Sequence, residues 1–152
     1  MFEFINDNDY DCGQAAACTF LAHYNLIPPN QILIKTIEKE FPPDILFGWL
    51  GTSPSQVHEI CKRWGDKQIE EVHGEMEVMA HLPAIVLIQD GELGGHWTVV
   101  TEKKDFDGVN YVYLTNYQEG WVEYTEFLQL WGGPIPRLAG FQYKGFVHNA
   151  RN

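Results

Sequence analysis

The apolar pattern of the chain changes period once, near Pro83, and this change points to the class of fold. From Asp11 to about Asn25, the residues Ala15, Ala16, Cys18, Thr19, Leu21 and Ala22 recur at helical intervals, and the two prolines of "NLIPPN" close that segment. A second helix is expected near Asn30 to Glu40. The aromatic stretch "FPPDILFGWLG" reads as a loop. "TSPSQVHEICKRWG" then carries a helix start, with Ser53 as N-cap, Pro54 in the first turn and Gln56 completing a capping box, and Gly65 as the stop. After Pro83 the pattern becomes that of strands. "PAIVLIQD", "HWTVVTEKK", "VNYVYLTN" and "GWVEYT" are β-branched or aromatic runs parted by turns at "GELGG", "DFDG" and "QEG". A short helix, "EFLQLW", and a last strand near Gly140 to His148 complete the chain. Helices followed by an antiparallel sheet make an α+β fold.

With 152 residues, 45% of them hydrophobic, the chain has material for one core and is expected to form one domain, 1–152. Its longest apolar runs are too short to cross a bilayer, and the acidic start "MFEFINDNDYD" lacks the layout of a signal peptide. Three cysteines, Cys12, Cys18 and Cys61, form no paired framework, which suits a reducing compartment and a cytoplasmic location. A formal charge of −11 argues against nucleic acid as partner.

Cys12 stands where a polar stretch turns into the first helix, and unpaired N–H groups at a helix start favour a thiolate. Cys18 and Cys61, inside apolar helical patterns, read as inert core residues. Among six histidines, His96 is the best-placed base, because it opens a strand directly after the glycines of "GELGG". His58 and Cys61 share a helical face as half of a metal site would, but no second pair has ligand spacing, so neither a metal nor a cofactor is expected.

Four ordered stretches, "DYDCGQAAACTFLAHY", "GTSPSQVHEICKRWG", "LPAIVLIQDGELGGHWTVV" and "YVYLTNYQEGWVEYTEFLQLWGG", together resemble the bacteriocin-processing, or double-glycine leader, peptidase group of papain-like cysteine peptidases. The resemblance covers most of the chain. It implies a papain-like arrangement of N-terminal helices packed on a C-terminal sheet, with Cys12 as nucleophile and His96 as base. Asn116 falls where the family usually has an aspartate that orients the histidine. Asn6 takes the place of the family's oxyanion glutamine, on a stem shorter by one methylene, and Asn8 is a second candidate donor.

The implied activity is hydrolysis of a peptide or amide bond through a thioester, with a peptide or protein as substrate. The alternatives are a silent papain-like binding module, and an acyltransferase or deamidase acting on a protein, which would also suit an effector exported without a signal peptide. Trp97, Trp49 and Trp121 are candidate walls of a substrate cleft, with filling of the core as their other reading, and Trp131 is open to the same two readings.

Overall fold

The computed structural model describes residues 1–6, 8, 10–45, 51–118 and 120–149. Among the described residues, six helices and six strands follow in chain order: α1 Cys12–His23, α2 Leu33–Glu40, α3 Pro54–Trp64, β1 Ile69–His73, α4 Glu75–Met79, β2 Ala84–Asp90, β3 Gly94–Phe106, β4 Val109–Leu114, β5 Trp121–Glu123, α5 Tyr124–Trp131, α6 Pro134–Leu138 and β6 Lys144–His148. The strands form one antiparallel sheet in the order β1-β6-β2-β3-β4-β5. The fold is α+β. Among the described residues, no helix is long and apolar enough to cross a membrane.

Both faces of the sheet are covered. On one side Ile85, Leu87, Trp97, Val99 and Phe146 pack with residues of α1, α2 and α3. On the other, Val86, Ile88, Val100, Val112 and Leu114 pack with Phe127 and Trp131 of α5. This explains why β2 is a continuous apolar run rather than an alternating one: its residues from Ala84 to Gln89 are all buried, three toward each layer. The first helix is enclosed as well, with every residue from Cys12 to Leu21 buried.

Local signals at α3 are realised in part. Ser53 Oγ accepts the Gln56 N–H at 3.1 Å and Pro54 occupies the first turn. The reciprocal half of the capping box is absent. The Gln56 side chain donates to the Pro42 carbonyl at 2.9 Å, and the Ser53 N–H is taken by the Asp44 carboxylate at 2.7 Å. Gly65 ends the helix for a packing reason, since a Cβ there would lie 2.3 Å from the Cys61 carbonyl oxygen and 2.8 Å from Leu21.

Elsewhere the elements depart from the sequence reading. The "GWVEYT" strand is only three residues long, because α5 already begins at Tyr124. The last strand begins at Lys144 rather than near Gly140. The first strand, α4 and α6 carry too weak a local pattern to be read beforehand.

Candidate active site

The start of α1 abuts β3. The Cys12 sulfur accepts the Trp97 N–H at 3.4 Å, so the thiol touches the main chain of the residue that follows His96. Gly13 permits this approach, because a Cβ on it would lie 2.9 Å from Thr52 and 3.2 Å from the Trp97 ring. Trp97 is fixed in turn by donation from its indole N–H to the Thr52 carbonyl at 2.8 Å. Thr52 Oγ1 donates to Gln14 Oε1 at 2.9 Å, and the Gln14 amide reaches the Phe41 carbonyl at 2.9 Å.

A thiol at a helix start is expected to be acidified, and the local groups do pull that way. The N–H groups of Trp97, Cys12 and Gly13 all favour the thiolate. Burial outweighs them and, with the Asp11 charge adding to it, pushes the Cys12 thiol up to about 11. The helix start therefore favours the thiolate as expected, but burial outweighs it and favours the thiol. Cys18 and Cys61 are fully buried, and burial pushes both up to about 12.

His96 is the third residue of β3, opposite Ile88 on β2. Its neighbour Trp97 lies opposite Leu87 and belongs to the α1 layer, whereas Ile88 belongs to the α5 layer. Side chains of successive strand residues point to opposite faces, so the imidazole and the Trp97 indole leave β3 on different sides. The imidazole packs near Tyr117, with ring centroids 5.7 Å apart. Burial lowers its pKa, opposed by the Asp90 carboxylate and by the main-chain carbonyls of Asn116 and Thr115. Its Nε2 is buried and, among the described residues, has no hydrogen-bond partner.

The other site residues group unevenly around this pair. The main-chain carbonyls of Asn116 and Thr115 both act to raise the imidazole pKa, while the Asn116 side-chain amide donates to Asn6 Oδ1. The Asn6 amide donates to the Asn8 carbonyl at 2.6 Å, and Asn8 Oδ1 accepts the Tyr10 N–H at 2.8 Å. Both candidate oxyanion side chains are thus engaged in the segment that leads into α1. His58 lies against Phe146, with ring centroids 5.0 Å apart, in keeping with a packing role.

Of the tryptophans, Trp97 edges a pocket of about 60 Å³ with Cys12, Gly51, Thr52, Leu87, Gly95 and Ile135. Gly95 opens this pocket, since a Cβ there would meet Ile135 at 2.9 Å and Leu87 at 3.2 Å. The glycine signal was legible in the sequence; its partner Ile135, forty residues on, was not. Trp121 lies at the far edge of the sheet, packed on Phe106 and Tyr113, and lines a separate cavity of about 420 Å³ with Glu3, Glu102 and Tyr113. Trp131 is a core residue of the α5 layer, and Trp49 lies outside the described residues. No family model matches the chain, and no curated protein matches it.

Proposed function

We propose that the chain is a papain-like thiol hydrolase acting on a peptide or amide carbonyl, with Cys12 as nucleophile and His96 as base. The observation that carries this reading is the hydrogen bond from the Trp97 N–H to the Cys12 sulfur. It holds a thiol at the residue next to an imidazole whose Nε2 is unsatisfied among the described residues. The pocket of about 60 Å³ beside the thiol has room for one small side chain of a substrate.

The directions of the two pKa shifts set the order of events. With the thiol high and the imidazole low, the resting pair is neutral, and His96 is already in its basic form. The proton leaves sulfur as the attack proceeds rather than before it. Because the imidazole leaves β3 on the face away from the Trp97 indole, this requires His96 to swing round the edge of the strand beside Cys12 until a ring nitrogen reaches the sulfur. The new S–C bond pushes the carbonyl electrons onto oxygen, where the Cys12 N–H at the start of α1 is a first donor. Asn6 becomes a second donor by exchanging the Asn8 carbonyl for the oxyanion. Collapse expels the amine, which takes the proton from His96 and leaves a thioester. Water resolves the thioester in a hydrolase, and a second amine does so in an acyltransferase.

A binding module without turnover is the second reading. It draws on the hydrogen bond between Asn116 and Asn6, which occupies two of the expected catalytic amides with one another. Incubation with p-nitrophenyl acetate separates the two. Attack by Cys12 releases p-nitrophenolate and leaves one acetyl group on the sulfur. Intact mass and peptide mapping should find that group on Cys12, and it should disappear on standing. Acetylation confined to surface lysines would leave the binding module.

A further inference from the structure

The N-terminal segment runs from one flank of the candidate site to the other. At its start, the Glu3 carboxylate accepts the Asn116 N–H at 3.0 Å through one oxygen and the Tyr113 hydroxyl at 2.9 Å through the other. The adjoining main chain is tied down separately: the Phe4 N–H donates to Thr19 of α1 at 2.9 Å, and Ile5 exchanges two hydrogen bonds with the Gln31 side chain. Further on, the Asn8 N–H donates to the Asp11 carboxylate at 3.1 Å, one residue before Cys12. The segment is therefore anchored on α1 and Gln31 and presents a carboxylate to the loop after β4.

That loop needs holding. Asn116 has φ of 53° and Gln118 has φ of 38°, both in the left-handed region that non-glycine residues enter at a cost. Thr115 still donates its N–H to the Val99 carbonyl of β3 at 3.1 Å, and the departure comes at the next residue, where the Asn116 N–H goes to Glu3. A hydrogen bond to a carboxylate is about twice as strong as a neutral one. Tyr113 restrains the second oxygen, so the acceptor is held at both ends, and the hydrogen bond to Glu3 is the first cause of the raised Tyr113 pKa.

We propose that Glu3 is a positioning residue, whose carboxylate fixes the main chain at Asn116 and through it sets the orientation of the His96 imidazole. Glu3 acts at one remove: the Asn116 and Thr115 carbonyls both act on the imidazole, and the ring of Tyr117, the next residue of the loop, lies 5.7 Å from it. Its consequence for turnover rests on the hydrolase reading. Its geometric content is read on the histidine itself, so the two can fail separately.

The test follows the six histidine ring resonances by NMR across pH in the parent chain and in Glu3→Ala and Glu3→Gln. In Glu3→Ala the His96 resonance should move and its pKa should fall, because the imidazolium loses a fixed acceptor. Glutamine keeps an oxygen for the Asn116 N–H while removing the charge, and should restore most of the parent titration. His58, His73, His81 and His148 serve as controls and should not move. The proposal is overturned if His96 titrates in Glu3→Ala as in the parent, or if Glu3→Gln moves it as far as Glu3→Ala does, which would mark a through-space charge effect. Should Glu3→Ala fail to fold, Tyr113→Phe carries the test by freeing one carboxylate oxygen. It must then shift His96 in the same direction by a smaller amount, or the proposal falls. Alkylation of Cys12 that ignores His96, with the Glu3 effect intact, would remove the hydrolase reading and leave the positioning role standing.

Discussion

Replacing Cys12 with serine should lower turnover of any acyl substrate by about 10⁴-fold or more, with the fold retained. The loss is large because a serine hydroxyl is far harder to ionise than a thiol, and the protein would have only a neutral imidazole to help it. The fold should survive because serine is close in size and can still accept the Trp97 N–H that the sulfur accepts now. Cys12→Ala should lose the same activity and about 1 kcal/mol of stability, since it also strands that N–H. Circular dichroism and a denaturant titration check the fold, and p-nitrophenolate release checks the chemistry. If both variants lost stability heavily and activity only in proportion, Cys12 would be a packing residue.

The largest effect on stability is expected at the opposite face of the sheet. Trp131 is fully buried, with its ring 5.0 Å from Phe127 in a stacked arrangement and 5.5 Å from Tyr143 edge-on. Its indole N–H donates to the Lys144 carbonyl at 3.1 Å, which ties α5 to β6. Trp131→Ala should therefore cost about 3–5 kcal/mol in urea unfolding, through lost burial, an unfilled cavity and an orphaned carbonyl. That is a large share of the roughly 5–15 kcal/mol that a domain has in total. Trp131→Phe, which keeps a ring and loses only the donor and part of the volume, should cost less than half as much. A loss under about 1 kcal/mol for the alanine variant would mean that the α5 layer contributes little to the fold.

The elements that could be read from the sequence are those whose signals are local. Ser53, Pro54 and Gly65 delimit α3 within a dozen residues, and the turn glycines around Gly91 and Gly108 separate the central strands. The first strand and its partner β6 could not be paired beforehand, because Ile69 meets His148 across most of the C-terminal half. The candidate site divides along the same line. Cys12 is legible as the residue that opens a helix, but its protonation is decided by burial in the folded chain, against which the N–H of Trp97, 85 residues away, pulls the other way. The sequence points to the Asn116 side chain, yet its carbonyl, with that of Thr115, is what acts on His96, while the amide turns to Asn6. Glu3 gave no signal at all. Its importance comes from a hydrogen bond spanning 113 positions, which no window of sequence can display.

The central claim, that Cys12 is a chemically competent thiol served by His96, is tested most directly by the rate of iodoacetamide alkylation. The rate is followed by peptide mass mapping in the parent chain and in His96→Ala, from pH 6 to 10. A thiol raised to about 11 reacts faster with every step in pH across this range, with no acid plateau of a preformed thiolate. At pH 7 the account predicts that Cys12, which lines a pocket, is alkylated well ahead of the fully buried Cys18 and Cys61. In His96→Ala its rate should drop by about 10²-fold, the usual contribution of a general base. Alkylation of Cys12 no faster than of Cys18 and Cys61, and at the same rate with and without the imidazole, would contradict the account.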